Sequence, residues 1–425
     1  MGQIPTHQAL LRPGWMVFAL FTLNPVWWAL GFGDLSWCIA AVPLWIWVLT
    51  RHNFIVPPSV GLFLTFIAWG IVTIFQLDKA SRLFAFGFRT TSLLTAAALA
   101  IYVFNERRVT REKFVDWVAW FWIAAVIGGY IGLIFPKGHI PNTLASMVLP
   151  EGIKSNELVK NMIRPGFAQQ QDQFGVAVVR PKTLFPFTNE WGGNLGLLTP
   201  FFVLSWVMSG IRRRRNLGIV GMVLAMVPMI KSVNRGLWIS LLMFAIIYSV
   251  RAVFGGRPAV LVAMIVGGIA LTIIILATPL KTTLVERLSS ERSTDARAGI
   301  YEEAFAGAKD SPIFGNGGPR PSKNPYSPPI GTHGQFFLVM FAHGFVGLAL
   351  YLAWAVASII AAARRVDRFS IVMSVTVMVG AAQMFFYNLL PQSLPIILVA
   401  IGLACRPPDQ KSRWQPRDEV SRVLV

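Results

Sequence analysis

The stretch Thr332-His333-Gly334-Gln335, with Gly344 and Gly347 farther along, combines an ionisable imidazole with an apolar run that follows an arginine-bearing segment. An imidazole exchanges a proton near neutral pH. A guanidinium fork holds phosphate through paired hydrogen bonds. His333 at the mouth of a membrane helix, just after Arg287, Arg292 and Arg297, points to proton transfer beside a bound phosphate. His343 is the rival imidazole, deeper in the same apolar run, and is read as a packing residue.

The remaining elements must position these groups in a membrane. The chain of 425 residues is 55% hydrophobic and 13% charged, which excludes an ordinary soluble domain. Apolar runs recur at 14–31, 35–49, 57–76, 84–104, 114–134, 190–209, 217–231, 236–251, 259–279, 335–361, 369–388 and 390–405. Most are long enough to cross a hydrocarbon core of roughly 30 Å. The expected fold is an all-α polytopic membrane protein with about twelve transmembrane helices, a single membrane domain over 1–425. No cleavable leader is evident. Cys38 and Cys405 are the only cysteines and suggest neither a disulfide framework nor a metal set.

The net charge of +19 is read first as membrane orientation, not as nucleic-acid binding, because no nucleic-acid motif accompanies it. Basic clusters at Arg107–Lys113, Arg212–Arg215, Arg251 with Arg257, Arg364–Arg368 and the tail from Arg406 fall on alternate loops. That side is assigned to the cytoplasm, with both termini on it. Two long segments, 135–186 and 281–332, then lie on the outer face. In the second, Asp295 is expected to cap a helix from Ala296 to about Lys309, broken by Asp310-Ser-Pro-Ile-Phe-Gly-Asn-Gly-Gly.

Basic residues also gather on the outer side. Lys79 and Lys231 are accounted for equally well by lipid headgroups. Arg89 lies within an apolar run, where a charge costs on the order of 3 kcal/mol, so it should face a partner or ligand inside the bundle. Asn234-Arg235-Gly236 opens an outer helix, and Asn189 lies where the first outer loop enters a span. Arg297, near a helix start, is the best placed of the loop arginines for phosphate. Gly315, Gly317 and Gly318 permit close backbone approach; Gly344 and Gly347 permit approach of a helix or lipid tail on the His333 face.

Taken together, the chain resembles the O-antigen ligase and polymerase superfamily of bacterial envelope glycosyltransferases. His333, Gly344 and Gly347 follow that family's histidine and glycine spacing, with Gly334 departing from the polar second position and Gln335 as its replacement. Arg297, Tyr301, Pro312, Gly315 and Gly317 follow its loop pattern, with tyrosine in place of tryptophan, and Asn234-Arg235-Gly236 follows its outer helix start. The resemblance implies a C-type membrane glycosyltransferase of the bacterial inner membrane, working at the outer face without metal or other cofactor. The donor would be a glycan on undecaprenyl pyrophosphate and the acceptor the lipid A core or another glycan. His333 would be the general base. Arg297, Arg235 and Arg89 would hold the pyrophosphate, with Asn189, Tyr301, Gly315, Gly317, Gly344 and Gly347 in support. A polymerase of the same superfamily differs only in acceptor. A transporter or lipid flippase predicts internal repeats and mid-membrane charges.

Overall fold

The computed structural model describes residues 12–154, 157–173, 176–276, 292–323 and 328–409. These are mostly helical. Among them, Ala80–Asn105, Arg111–Ile134, Arg235–Phe254 and Gln335–Ala363 are long and apolar enough to cross a membrane. Shorter apolar helices include Leu35–Leu49, Val60–Gln76, Arg368–Gln383 and Ser393–Cys405. Pro258–Leu276 exposes Val262, Ile265, Val266 and Ile269, an outward apolar face that suits lipid.

The centre of the bundle is built from small residues. Ala96, Ala97, Ala98 and Ala100 on the Leu83–Asn105 helix are fully buried. A Cβ on Gly402 of the Ser393–Cys405 helix would meet the Ala100 carbonyl oxygen at 2.8 Å. Small side chains on both helices let their backbones approach, which is how helices associate where lipid competes for apolar contact.

Polar residues tie down the two ends of the bundle. At one end Arg406, fully buried, donates to the carbonyls of Val103, Glu106 and Val109 and to Asp409. The Arg111 amide donates to Asp409, and its guanidinium lies 3.7 Å from Asp367. Arg51 and Arg108 converge on Glu106. Burial works against the Glu106 carboxylate, but the hydrogen bond and charge of Arg108, with Arg51, outweigh it and hold its pKa below the ordinary glutamate range. Several basic clusters read as one side of the membrane thus meet here.

At the opposite end the first long loop departs from the all-α expectation. Short helices at Leu144–Val148, Glu151–Lys154 and Glu157–Ile163 precede two antiparallel strands, β1 (Ala168–Gln173) and β2 (Val176–Pro181), with Gln171 opposite Val178. The Val176-Ala-Val-Val run is β-branched and too short to bury a helical face, which favours a strand. Arg180, on β2, is buried and donates from Nε to the Ser232 carbonyl at 2.7 Å. The second loop contains the expected helix, but it spans Arg292–Asp310, so Asp295 lies inside its first turn and is not its cap. It ends at Asp310, before Ser311-Pro312, as expected.

The Gln335–Ala363 helix is broken at Gly344, whose φ of +68° and ψ of −173° leave the helical region. The Phe341 carbonyl, which a regular helix would pair with the Phe345 amide, accepts instead from the Asn316 amide at 2.9 Å. The Ala342 carbonyl accepts from Gly317 at 2.8 Å, and the Phe345 amide donates to the Pro312 carbonyl at 2.7 Å. The Pro312–Gly317 turn is thereby stitched into the helix. Gly344 and Gly315 face each other across this seam: a Cβ on either would collide with backbone of the other segment, and Gly315 also has a φ of +68°.

Two outcomes follow. Gly344→Ala should lose about 2 kcal/mol or more, since an L side chain is strained at that φ and meets backbone that cannot yield. Gly61→Ala, at a helical position with nothing within 4 Å, should be neutral or gain up to about 1 kcal/mol. Thermal denaturation of the two proteins in one detergent checks the contrast; equal midpoints would refute the seam. Glu106→Gln should lower the thermal midpoint at pH 7. Because the folded pKa is depressed, this stability is present above the unfolded value near 4.5 and is lost as pH falls through the lower folded value. The gap between wild type and variant should therefore narrow below about pH 4.5; a constant gap would contradict the depressed carboxylate.

Candidate functional site

His333 occupies the turn before the Gln335–Ala363 helix and is half-buried. The Thr332 hydroxyl donates its proton to the Pro329 carbonyl at 2.6 Å. Its oxygen lies 3.1 Å from His333 Nδ1, so in the neutral ring Nδ1 is the donor to Thr332 and Nε2 carries the lone pair. That tautomer suits proton abstraction at Nε2.

The two residues after His333 anchor the turn. Gly334 has a φ of +86°, and a Cβ there would meet the Phe385 carbonyl oxygen at 2.8 Å. Glycine at this position is therefore a backbone requirement. Gln335 is 2% exposed; its amide donates to the Tyr387 carbonyl at 2.7 Å and its Oε1 accepts from the Leu389 amide at 3.2 Å. Its side chain serves this connection and so is not available as a polar stand-in for position 334.

Tyr387 links this turn to the second candidate. Its hydroxyl donates to Asn234 Oδ1, and that same oxygen accepts from the Leu237 amide at 3.2 Å, capping the Arg235–Phe254 helix. Asn234 Nδ2 donates to the carbonyls of Thr188 and Asn189 at 3.2 and 3.5 Å. Gly192 and Gly236 make room, since a Cβ on the first would collide with the Asn234 amide and on the second with the Tyr387 hydroxyl. Arg235, half-buried, is the first residue of the capped helix. Asn189 is exposed and accepts from Arg180 Nη2 at 3.3 Å. His333, Arg235 and Asn189 are thus gathered around one buried tyrosine and one buried asparagine.

Tyr301 and Arg297 reach the same end by a different element. The Tyr301 ring stacks on Phe337 with centroids 3.8 Å apart and planes 7° from parallel. Phe305 meets Phe345 at 6.2 Å, and Gly307 lies against Phe341. From Tyr301 beside Phe337 to Pro312 bonded to Phe345 the two segments advance in the same sense, so Arg292–Asp310 runs parallel to Gln335–Ala363. Arg297 is one turn before Tyr301 on its helix. Arg287 lies outside the described residues.

Arg89, Gly315, Gly317, Gly344 and Gly347 form a separate group around the helix break. Gly317 has a φ of +70° and lies against the Thr73 carbonyl; Gly318 lies against Arg89, where a Cβ would be 2.5 Å from Nη2. Gly347 faces the His343 side chain and Trp69. Gly344 therefore receives the loop backbone rather than a helix or lipid tail, while Gly347 receives Trp69 of the Val60–Gln76 helix. His343 is held by Thr73 and Trp69, in keeping with a packing role for its backbone. This group begins about 13 Å along the helix from its start.

The end of the bundle that bears His333 is not uniformly basic. Burial, partly offset by a 2.9 Å hydrogen bond from Gln392, pushes the Asp34 carboxyl up to about 6. Burial also draws the Lys182 amine below its usual value, against the pull of Glu190. Among the described residues no three His, Cys, Asp or Glu side chains gather as a metal-ion set. The sequence gives no signal for Tyr387 beyond its place beside Asn388-Leu-Leu-Pro, nor for Arg180, which is 4% exposed and fastens β2 to Ser232.

Comparison with known proteins follows the same residues. No curated protein matches the chain. A family model described as O-antigen ligase matches residues 220–352, a span that holds Asn234, Arg235, Arg297, Tyr301, Gly315, Gly317, His333, Gly344 and Gly347, while Arg89 and Asn189 lie outside it. Over this span the chain is similar to the O-antigen ligase family, which supports the resemblance read from the sequence.

Proposed function

We propose that this protein is an O-antigen ligase-type glycosyltransferase that moves a glycan from undecaprenyl pyrophosphate to an acceptor hydroxyl of the lipid A core. The observation that carries the reading is the tyrosine-centred connection between the His333 turn and the capped start of the Arg235 helix. It brings a base and a phosphate-binding cation to one end of the bundle. The about twelve apolar helices would span the bacterial inner membrane, with both termini cytoplasmic and this end on the outer face, where the basic clusters at the opposite end satisfy the positive-inside bias.

The chemistry needs one base and one good leaving group. His333 Nε2 takes the acceptor hydroxyl proton while the hydroxyl oxygen attacks the anomeric carbon. The bond from that carbon to the phosphate oxygen breaks, its electron pair leaves on the diphosphate, and attack from the opposite side inverts the centre. Nδ1, held by Thr332, keeps the ring in the productive tautomer. Arg235 and Arg297 would neutralise the charge that grows on the leaving diphosphate, an effect strongest where water is excluded. No step requires a metal ion. Arg89 lies apart, in the group at the helix break, and has no part in this step.

Reconstituted protein with a polyprenyl-diphosphate glycan and lipid A core tests this. His333→Ala should lower kcat by about a hundredfold or more. Arg235→Ala and Arg297→Ala should each lower kcat/KM by a similar order, and the lysine variants should recover only part, because ammonium cannot reproduce the fork. A chelator should leave the rate unchanged. Full transfer by His333→Ala would remove the base assignment, and transfer only to free glycan ends would make the enzyme a polymerase.

A further inference from the structure

The group at the helix break has its own ligand chemistry. His343 Nδ1 lies 2.9 Å from the Thr73 hydroxyl oxygen, and Thr73 commits its proton to the Gly70 carbonyl at 2.7 Å. Nδ1 must therefore be the donor, which in the neutral ring leaves the lone pair on Nε2. Among the described residues nothing hydrogen-bonds to Nε2, and the side chain is only half-buried. The ring is fixed from several sides: Phe66 meets it edge-on at 5.7 Å, Gly70 lies under it, and the His343 carbonyl accepts from Trp69 Nε1 at 3.0 Å.

Arg89 stands across the same glycine turn. It makes no hydrogen bond or ion pair among the described residues, whereas its neighbour Arg82 is committed to Asp78 and the Pro319 carbonyl. Its Nη2 lies against Gly318, and its charge is within electrostatic reach of His343. Gly315 lies against the His343 backbone, Gly317 against the Thr73 carbonyl and Gly318 against Arg89, so one glycine turn touches all three residues. A half-buried, uncommitted guanidinium in an apolar helix is costly without an anion.

An arginine fork asks for an oxyanion, and a lone-pair imidazole nitrogen asks for a hydrogen-bond donor. A phosphate carrying one protonated oxygen supplies both on a single centre. A diphosphate esterified at both ends has no such proton; a diphosphate with one free end does. Resting on the glycosyl-transfer reading above, we propose that His343 Nε2 and Arg89 form a product subsite, which holds the free terminal phosphate of the prenyl diphosphate released by transfer. In it, P–O–H donates to Nε2 and P–O⁻ accepts from Arg89. The subsite lies about 13 Å along the helix from its start, so the product can wait there while the His333 end is vacated.

The test uses the full chain in phosphatidylcholine nanodiscs, which offer no anionic headgroup. The probes are farnesyl diphosphate, a farnesyl-diphosphate-linked N-acetylglucosamine esterified at both ends, and inorganic pyrophosphate, with binding measured by calorimetry. Wild type should bind farnesyl diphosphate at least tenfold more tightly than the bis-ester. His343→Asn, whose amide can keep the Thr73 contact, and Arg89→Gln should each abolish that preference at unchanged thermal midpoint. Arg89→Gln stands as the independent arm if the histidine variant unfolds. Persistence of the preference in the folded variants overturns the subsite. Inorganic pyrophosphate binding as tightly as the lipid would overturn the lipid product as occupant and leave free phosphate. His333→Ala should retain the preference while losing transfer. A wild type that shows the preference but transfers no glycan would sink the transferase reading alone, and one that transfers glycan without the preference would sink the subsite alone.

Discussion

The exchange of backbone hydrogen bonds at Gly344 governs the half of this molecule that bears His333. Within a bilayer an unpaired carbonyl is too costly to tolerate, so a helix can break there only if another backbone takes over its partners. The Pro312–Gly317 turn does so through Asn316, Gly317 and the Pro312 carbonyl. Two positive-φ glycines, Gly315 and Gly344, make the approach possible. Loop and helix are therefore one unit, and the helix that precedes the turn, Arg292–Asp310, is laid parallel to Gln335–Ala363 as a result.

That arrangement sorts the polar residues into two stations along a single helix. At its start the His333 turn is joined through Tyr387 and Asn234 to the Arg235 helix and, through Asn189 and Arg180, to the first outer loop. At its break Arg89, Thr73 and His343 surround a glycine turn. Each station pairs an imidazole, whose tautomer is set by a threonine hydroxyl, with at least one arginine. On the proposed reading, both stations handle the same phosphate-bearing lipid at different stages.

Much of this was legible in the residues. Hydropathy located the helices because their lengths follow from bilayer thickness, and the basic clusters marked one end because charges avoid translocation. The break after Asp310 was legible from Pro312 and the glycines. What escaped was set by tertiary pairing. Nothing in Tyr387 itself reveals that its hydroxyl caps a cap, and the role of Gly344 depends on a turn about thirty residues earlier. Gly334 looked like a lost polar group, whereas its φ of +86° makes it a backbone requirement. The β1–β2 pairing was hidden because the polar Ala168–Gln173 strand and the short valine run of Val176–Pro181, inside a long loop, carry little periodic signal.

The seam at Gly344 also has a mechanical consequence. An intact membrane helix resists bending because several ladder bonds must be broken together. Here the ladder is already interrupted, and the stiffness of the joint comes from three bonds to the Pro312–Gly317 turn and from Trp69, which stacks on Phe314 at 5.2 Å while bonding to His343. The helix is therefore jointed at Gly344, and the angle between its halves is set by contacts with the Pro312–Gly317 turn at the joint and with Met384–Leu389 at the His333 end.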